Sequence, residues 1–331
     1  MTPPSETTRL RAALPTVLAV ILLAFAWRWF AVRWAGFAGV VERPPILWRW
    51  LVAAFALLIL HAASALMIWR QLLAAVGARL TWRQAADSFL PSLLARYVPG
   101  KIWANAVRLA LAARAGVTLG TSTGAILWET LIALSTASLV AMVGLSQRAL
   151  AADAPFPGDD SFSTGDASFR SAAFLFVGTL VAWGAVALLA RSTRGAALLH
   201  RFGGTDPVRR PTALAPAAVT SGLGWLIYGA AHLCIALSLS PVSPVSYGVL
   251  AGAVALAWAG GYLAVVMPVG LGVRDALLVV LLAPLLDPER ALLFVALSRL
   301  VQLAVDSSLT FGWLSARWLR PAQTPSVPRS A

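Results

Sequence analysis

Charged and polar side chains sit where this chain has few of them, and their spacing points to anion binding. The first group is Arg96-Tyr97-Val98-Pro99-Gly100-Lys101, at a break in an apolar stretch. Lys101 is the one lysine among 26 basic residues, an excess of arginine that composition bias explains. The Pro-Gly step matters more. It interrupts the apolar segment, and a fresh helix is expected to start at the lysine. Lys101, Asn105 and Arg108 then follow at i, i+4 and i+7, on one helix face. A helix N-terminus with cations on that face suits a phosphate. The alternative is an interfacial helix whose cations are solvated. The second group, Gly270-Leu271-Gly272-Val273-Arg274-Asp275, repeats the design. A glycine break precedes a helix start with Arg274 in its first turn. Asp275 either complements the helix dipole or pairs with a basic residue. A dinucleotide loop is a poor reading of this GxG, because no Rossmann strand precedes it.

Two further features are polar groups inside apolar runs. Glu129 has no charged neighbour within a turn. It either carries a proton or pairs with an arginine of another segment. Arg299, Gln302, Asp306 and Thr310 form one stripe at i, i+3, i+7 and i+11. Arg299 and Asp306 are two turns apart, a rise of roughly 10.5 Å, too far for direct contact at backbone level but within one network. Such a stripe either glues helices together or lines a pathway. His61 and His232 stand alone on apolar spans and read as satisfied buried histidines. Cys234 is the single cysteine, a core thiol with no disulfide partner in the chain. No Ser-His-Asp or paired-cysteine pattern appears. The aspartates 153, 159, 160 and 166 lack the alternation of a calcium loop and read as a solvated loop. The sequence calls for neither a metal nor a cofactor.

These residues must be positioned by membrane helices. The chain of 331 residues is 59% hydrophobic and 12% charged. Nearly uncharged runs recur at 12–26, 51–69, 130–145, 171–190, 213–239, 245–268 and 291–316, several long enough for a bilayer core. The fold class is all-α: a polytopic helical membrane protein with about six full spans and two re-entrant or broken hairpins. The net charge of +13 would suggest nucleic acid in a soluble protein. Here the arginines fall in short loops, the pattern of cytoplasmic retention, so nucleic acid is not a partner. That distribution places both termini in the cytoplasm, although Arg28, Arg33, Arg43 and Arg49 then fall outside. The first run, with Arg9 and Arg11 before it, reads as a retained span rather than a cleaved signal, since Trp27-Arg28-Trp29 looks like an interfacial anchor. Trp48, Trp50, Trp69 and Trp318 near segment ends form an aromatic belt, whereas Trp128, Trp225 and Trp258 are packing residues.

The segments 84–115 and 245–286 are split by Pro/Gly steps, and backbone freed at such a break survives at membrane depth only when buried in protein or lining a cavity. A shift of about 170 residues carries the first break onto the second and Glu129 onto Arg299. The expected domain is therefore one unit, 1–331, of two halves near 1–145 and 171–320, joined by a polar acidic loop at 146–170. If each broken segment is a hairpin, each half crosses three times and the halves are inverted.

The segments carrying these motifs resemble the transmembrane region of lysylphosphatidylglycerol synthases, the flippase-like domain family. Arg96-Tyr97-Val98-Pro99-Gly100-Lys101-Ile102-Trp103 is similar to the family's Tyr-x-Pro-Gly-Lys segment. Pro268-Val269-Gly270-Leu271-Gly272-Val273-Arg274-Asp275 is similar to its Pro-Gly-Gly-Leu-Gly-x-Arg-Glu segment. Glu129 matches a glutamate often followed by arginine, and Arg299 with Asp306 matches a late arginine and acid. Val269, Asp275 and Thr130 depart from the pattern, the last replacing that arginine. The resemblance implies translocation of an anionic or modified lipid across a bacterial inner membrane. With no aminoacyl-transferase domain expected after the last span, lysyl-lipid synthesis is not implied and the chain is not expected to be an enzyme. The lipid phosphate is expected at Tyr97, Pro99, Gly100, Lys101, Asn105, Arg108, Gly270, Gly272 and Arg274. Glu129, Asp275, Arg299, Gln302 and Asp306 are expected to form a polar network around it. The alternative is a non-transporting scaffold for a glycosyltransferase or lipid-modifying enzyme. Expected partners are therefore membrane lipids and such an enzyme.

Overall fold

The computed structural model describes residues 46–98, 102–151, 161–195, 197, 211–242, 246–264, 273–283 and 285–318. All regular structure among them is helical. The helices are α1 (Trp48–Ala75), α2 (Trp82–Ala95), α3 (Trp103–Arg114), α4 (Leu119–Ala151), α5 (Ser161–Arg191), α6 (Ala215–Leu239), α7 (Tyr247–Leu263), α8 (Val273–Leu282) and α9 (Pro288–Trp318). Five apolar stretches among the described residues are long enough to cross a membrane: Trp48–Ala75, Leu119–Gln147, Ser168–Leu189, Thr212–Leu239 and Glu289–Arg317. The expected first span, 12–26, lies outside the described residues.

Both expected breaks are present. The first separates α2 from α3. Ala95 ends α2, and Arg96, Tyr97 and Val98 turn away through bonds from Tyr97 N–H to the Leu94 carbonyl and Val98 N–H to that of Ala95. The new helix starts at Trp103, slightly later than the sequence suggests, with Ile102 at its N-cap. Pro99, Gly100 and Lys101 lie outside the described residues. The second break separates α7 from α8, and Gly270 and Gly272 likewise lie outside. The start of α3 at 103 and that of α8 at 273 keep the shift of about 170 residues.

Local chemistry fixes the other ends. Thr81 and Gln84 form a capping box at α2. Gly116, at φ +83°, takes the left-handed conformation that ends α3. The Asp287 carboxylate accepts the Arg290 N–H at the start of α9. The described parts of the segment 146–170 are more helical than expected. Helix α4 runs on to Ala151 and α5 begins at Ser161, because Ser146-Gln147-Arg148-Ala149-Leu150-Ala151 contains no helix breaker.

Packing grades the helices from central to peripheral. Helix α6 lies against α1, α4, α7 and α9, and buries Ala231, Ile235 and Ala236. Helix α5 packs mainly on α4 and exposes Phe174, Val177, Leu180, Val181 and Leu188, a face suited to acyl chains. One core joins Leu58, Ile235, Val254, Leu278, Leu282 and Phe294; a second joins Trp69, Leu72, Phe89, Leu93 and Ile132. Trp69 is thereby corrected from belt to core. It is fully buried, and its indole N–H donates to Ser88 Oγ at 3.1 Å. Trp128 and Trp225 are buried as expected, and Trp258 packs edge-on against Trp225.

Helices α4 and α7 meet backbone to backbone. A Cβ on Gly144 would lie 2.1 Å from the Gly248 carbonyl oxygen and 3.0 Å from Gly252 Cα. Glycine here permits an approach that no other residue allows. Ordinarily a helical glycine replaced by alanine gains about 1 kcal/mol. Gly144→Ala is therefore expected to lose about 1–3 kcal/mol of stability, read by thermal or SDS unfolding in detergent. Gly312→Ala, where the added carbon meets open space, is expected to leave stability unchanged or raise it. A stabilising Gly144→Ala would contradict this crossing.

Candidate functional site

The charged residues meet where α2, α3 and α8 turn inward against α4, α6 and α9. Helix α9 receives both broken elements. On its seventh-residue spacing, Arg299 reaches α8 and Asp306 reaches the end of α2. Arg299 donates from Nε and Nη2 to Asp275 Oδ1, at 3.2 and 2.9 Å. Asp306, wholly buried, accepts from Tyr97 Oη at 2.8 Å and from Gln302 Nε2 at 3.1 Å, with Arg96 Nε at 3.6 Å. Arg299 and Asp306 therefore do not pair with each other, and each clamps a different element. Two more contacts secure α9 to α2: Thr310 Oγ1 donates to the Leu90 carbonyl, beside Pro91, and Trp313 Nε1 donates to Asp87.

Helix α3 is held separately. Arg108 Nη1 lies 2.5 Å from Glu129 Oε2 of α4. The guanidinium also lies over the rings of Trp69 and Phe89, at 4.9 and 4.8 Å. Of the two alternatives for Glu129, pairing with an arginine of another segment is the one this geometry realises. Thr130 bonds Tyr262 of α7 at 3.0 Å. Asn105 is half-buried on α3 and makes no hydrogen bond with another described residue.

Arg274 is different. Its Nη2 donates to Tyr228 Oη at 3.0 Å, and its buried Nε has no partner among the described residues. It makes no ion pair with a described carboxylate. The backbone of α7 opens its place: a Cβ on Gly261 would come within 2.8 Å of Arg274 Cβ. Tyr228 belongs to an aromatic column of α6, with His232 at 4.3 Å and Trp225 at 5.6 Å between ring centroids, and meets His61 of α1 at 4.7 Å. Both histidines donate from Nδ1, His61 to the Gly224 carbonyl and His232 to that of Tyr228. His232 is satisfied on one side only, since its buried Nε2 has no partner among the described residues.

The groups form one electrostatic neighbourhood. Arg96 lies in range of Asp306, Tyr228 and Glu129, Arg299 in range of Arg274 and Tyr97, and His232 in range of Arg274. Among the described residues, three carboxylates, Glu129, Asp275 and Asp306, face four guanidinium groups, those of Arg96, Arg108, Arg274 and Arg299. A charge in the hydrocarbon core costs at least about 2.5 kcal/mol even on insertion scales, so an excess cation there calls for an anion. Arg96 and Tyr228 were not singled out from the sequence. Arg96 stands at the head of the first motif, one residue before Tyr97. Tyr228 stands four residues before His232, on the same helix face.

The Tyr97 hydroxyl serves Asp306 in this state. A hydrogen bond to a charged group contributes about 1.5–3 kcal/mol. A Tyr97→Phe, Asp306→Asn double-mutant cycle, measured by unfolding in detergent, is expected to give a coupling energy of that order. Additive losses would contradict the bond.

Residues 12–309 match the family described as "Lysylphosphatidylglycerol synthase TM region". No curated protein matches the chain.

Proposed function

The chain belongs to the lysylphosphatidylglycerol synthase TM-region family, a membrane family of lipid-related function, and from that premise we propose that it is a lipid transporter. In this reading it carries a phosphate-bearing lipid, a phospholipid or a polyprenyl-phosphate-linked one, across the inner membrane of a bacterium. Both termini are cytoplasmic, and the two halves, 1–145 and 171–320, have opposite orientations. Transport needs no covalent chemistry, only a site that exchanges a headgroup between water and the bundle.

The observation that supports this most is Arg274, a half-buried cation whose one bond to a described residue is to a phenol. Around it every carboxylate of the network already has an arginine. Phosphate oxygens accept from a guanidinium in the same two-bond fork that a carboxylate takes, and a phosphate offers further oxygens to a second cation. Asn105 and Arg108 on α3, with Lys101 before it, would hold the same phosphate, and the glycines 100, 270 and 272 would allow the backbone to approach it. Tyr97 and Pro99 would shape the first turn.

Reconstitution in liposomes with a fluorescent phospholipid or polyprenyl phosphate tests this. The purified protein is expected to speed exchange between leaflets, and Arg274→Ala and Lys101→Ala to slow it by about tenfold or more, the loss of one charge-assisted bond. Wild-type protein that moves neither lipid, or variants that move it equally well, would overturn the reading.

A further inference from the structure

Asp275 and Arg274 are consecutive residues in the first turn of α8, and they do opposite things. Arg274 offers a cation with no described carboxylate on it. Asp275 places a carboxylate on Arg299, a cation that the Arg274 charge acts on. Both Arg299 donors that are used, Nε and Nη2, converge on the single oxygen Oδ1. The Nη1 group makes no hydrogen bond to a described residue. This is half of the fork an anion with several oxygens would take. The pair is also reachable, since the side chains of Arg299 and Asp275 are 16% and 20% exposed.

Resting on the lipid-phosphate reading above, we propose that Asp275 is a built-in competitor for the lipid phosphate, occupying Arg299 while the site is empty. An anion seated on Arg274 lies one residue from the Asp275 carboxylate and repels it. The same anion attracts Arg299, whose Nη1, unbonded to any described residue, gives it a first contact. As the phosphate takes over Nε and Nη2, Asp275 leaves, and α8 loses its ion pair to α9. The exchange gives the site two properties. Empty, it keeps two neighbouring arginines from repelling each other. Filled, it frees α8 from the helix that also clamps α2 through Asp306. A ligand with one phosphate thereby loosens one of the two broken elements and leaves the other fixed.

This assigns Asp275 an effect of unusual sign. A residue that only holds the site together loses affinity when changed. A competitor gains it. Apparent affinities are measured by native mass spectrometry in detergent, adding phosphatidylglycerol, a polyprenyl phosphate or phosphatidylcholine. Asp275→Asn, which keeps the shape and removes the charge, is expected to bind the two anionic lipids about fivefold tighter than wild type, the scale of releasing a partly exposed ion pair. In Asp275→Asn with Arg299→Gln the gain is expected to vanish, because the freed guanidinium is its source. The larger gain with phosphatidylglycerol or with the polyprenyl phosphate identifies which phosphate fits. Unchanged or weaker binding in Asp275→Asn, with Arg274→Ala still impaired, would overturn the competitor role alone. Wild-type protein with no preference for either anionic lipid over phosphatidylcholine would instead overturn the phosphate site itself. If Asp275→Asn fails to fold, judged by its melting in detergent, Asp275→Ser carries the same comparison.

Discussion

Charge inside a membrane bundle has to be matched there, because neither water nor lipid tails will do it. In this protein that requirement fixes α9, and α9 fixes the rest. Its Arg299 holds α8 through Asp275, and its Asp306 holds the end of α2 through Tyr97 and Arg96. A broken helix has no continuous hydrogen-bond ladder to keep it in place across the break. The ion pairs supply that restraint, and they do so from residues seven apart, two turns along one rigid rod. Helix α3, the remaining half-element of the first break, is tied by Arg108 to Glu129 on α4. All three half-elements that carry charge are thus fastened to full-length helices.

Backbone proximity completes the restraint. Glycines 144, 248 and 252 let α4 and α7 touch, and Gly261 lets α8 pass close to α7. In a bilayer, where apolar burial gives little drive for helices to associate, such contact is gained through dispersion and small side chains. It places Arg274 within reach of Tyr228 on the central helix α6. The same tightness explains why short elements stay put. Helix α7 is only 17 residues long and α8 only 10, yet α7 is buried along most of its length.

Much of this was legible in the sequence, for reasons that differ by residue. Long uncharged runs announce spans, and Pro-Gly or Gly-x-Gly steps announce breaks, because both follow from hydropathy and backbone chemistry alone. Lone charges such as Glu129 stand out against apolar neighbours. Which charge meets which was not legible. Asp306 pairs with Tyr97 across 209 positions, and Arg299 with Asp275 rather than with its neighbour on the stripe. Partner choice depends on helix rotation and crossing, which one sequence does not encode locally. Trp69 shows the same limit. At the end of a hydrophobic run it looks interfacial, yet the neighbouring α2 covers it and makes its ring a platform for Arg108. Tyr228 was hidden because a tyrosine in a span is unremarkable until an arginine arrives from another helix.

The central claim is that α8 and α9 bring Arg274 and Arg299 together around the phosphate of a lipid. A cryo-electron microscopy map of the protein in nanodiscs made with an anionic phospholipid tests it most directly. The account predicts headgroup density between the Arg274 and Arg299 guanidinium groups, with the Asp275 carboxylate turned away from Arg299. A well-resolved site with the Asp275–Arg299 pair intact and the headgroup bound elsewhere on the bundle would contradict it.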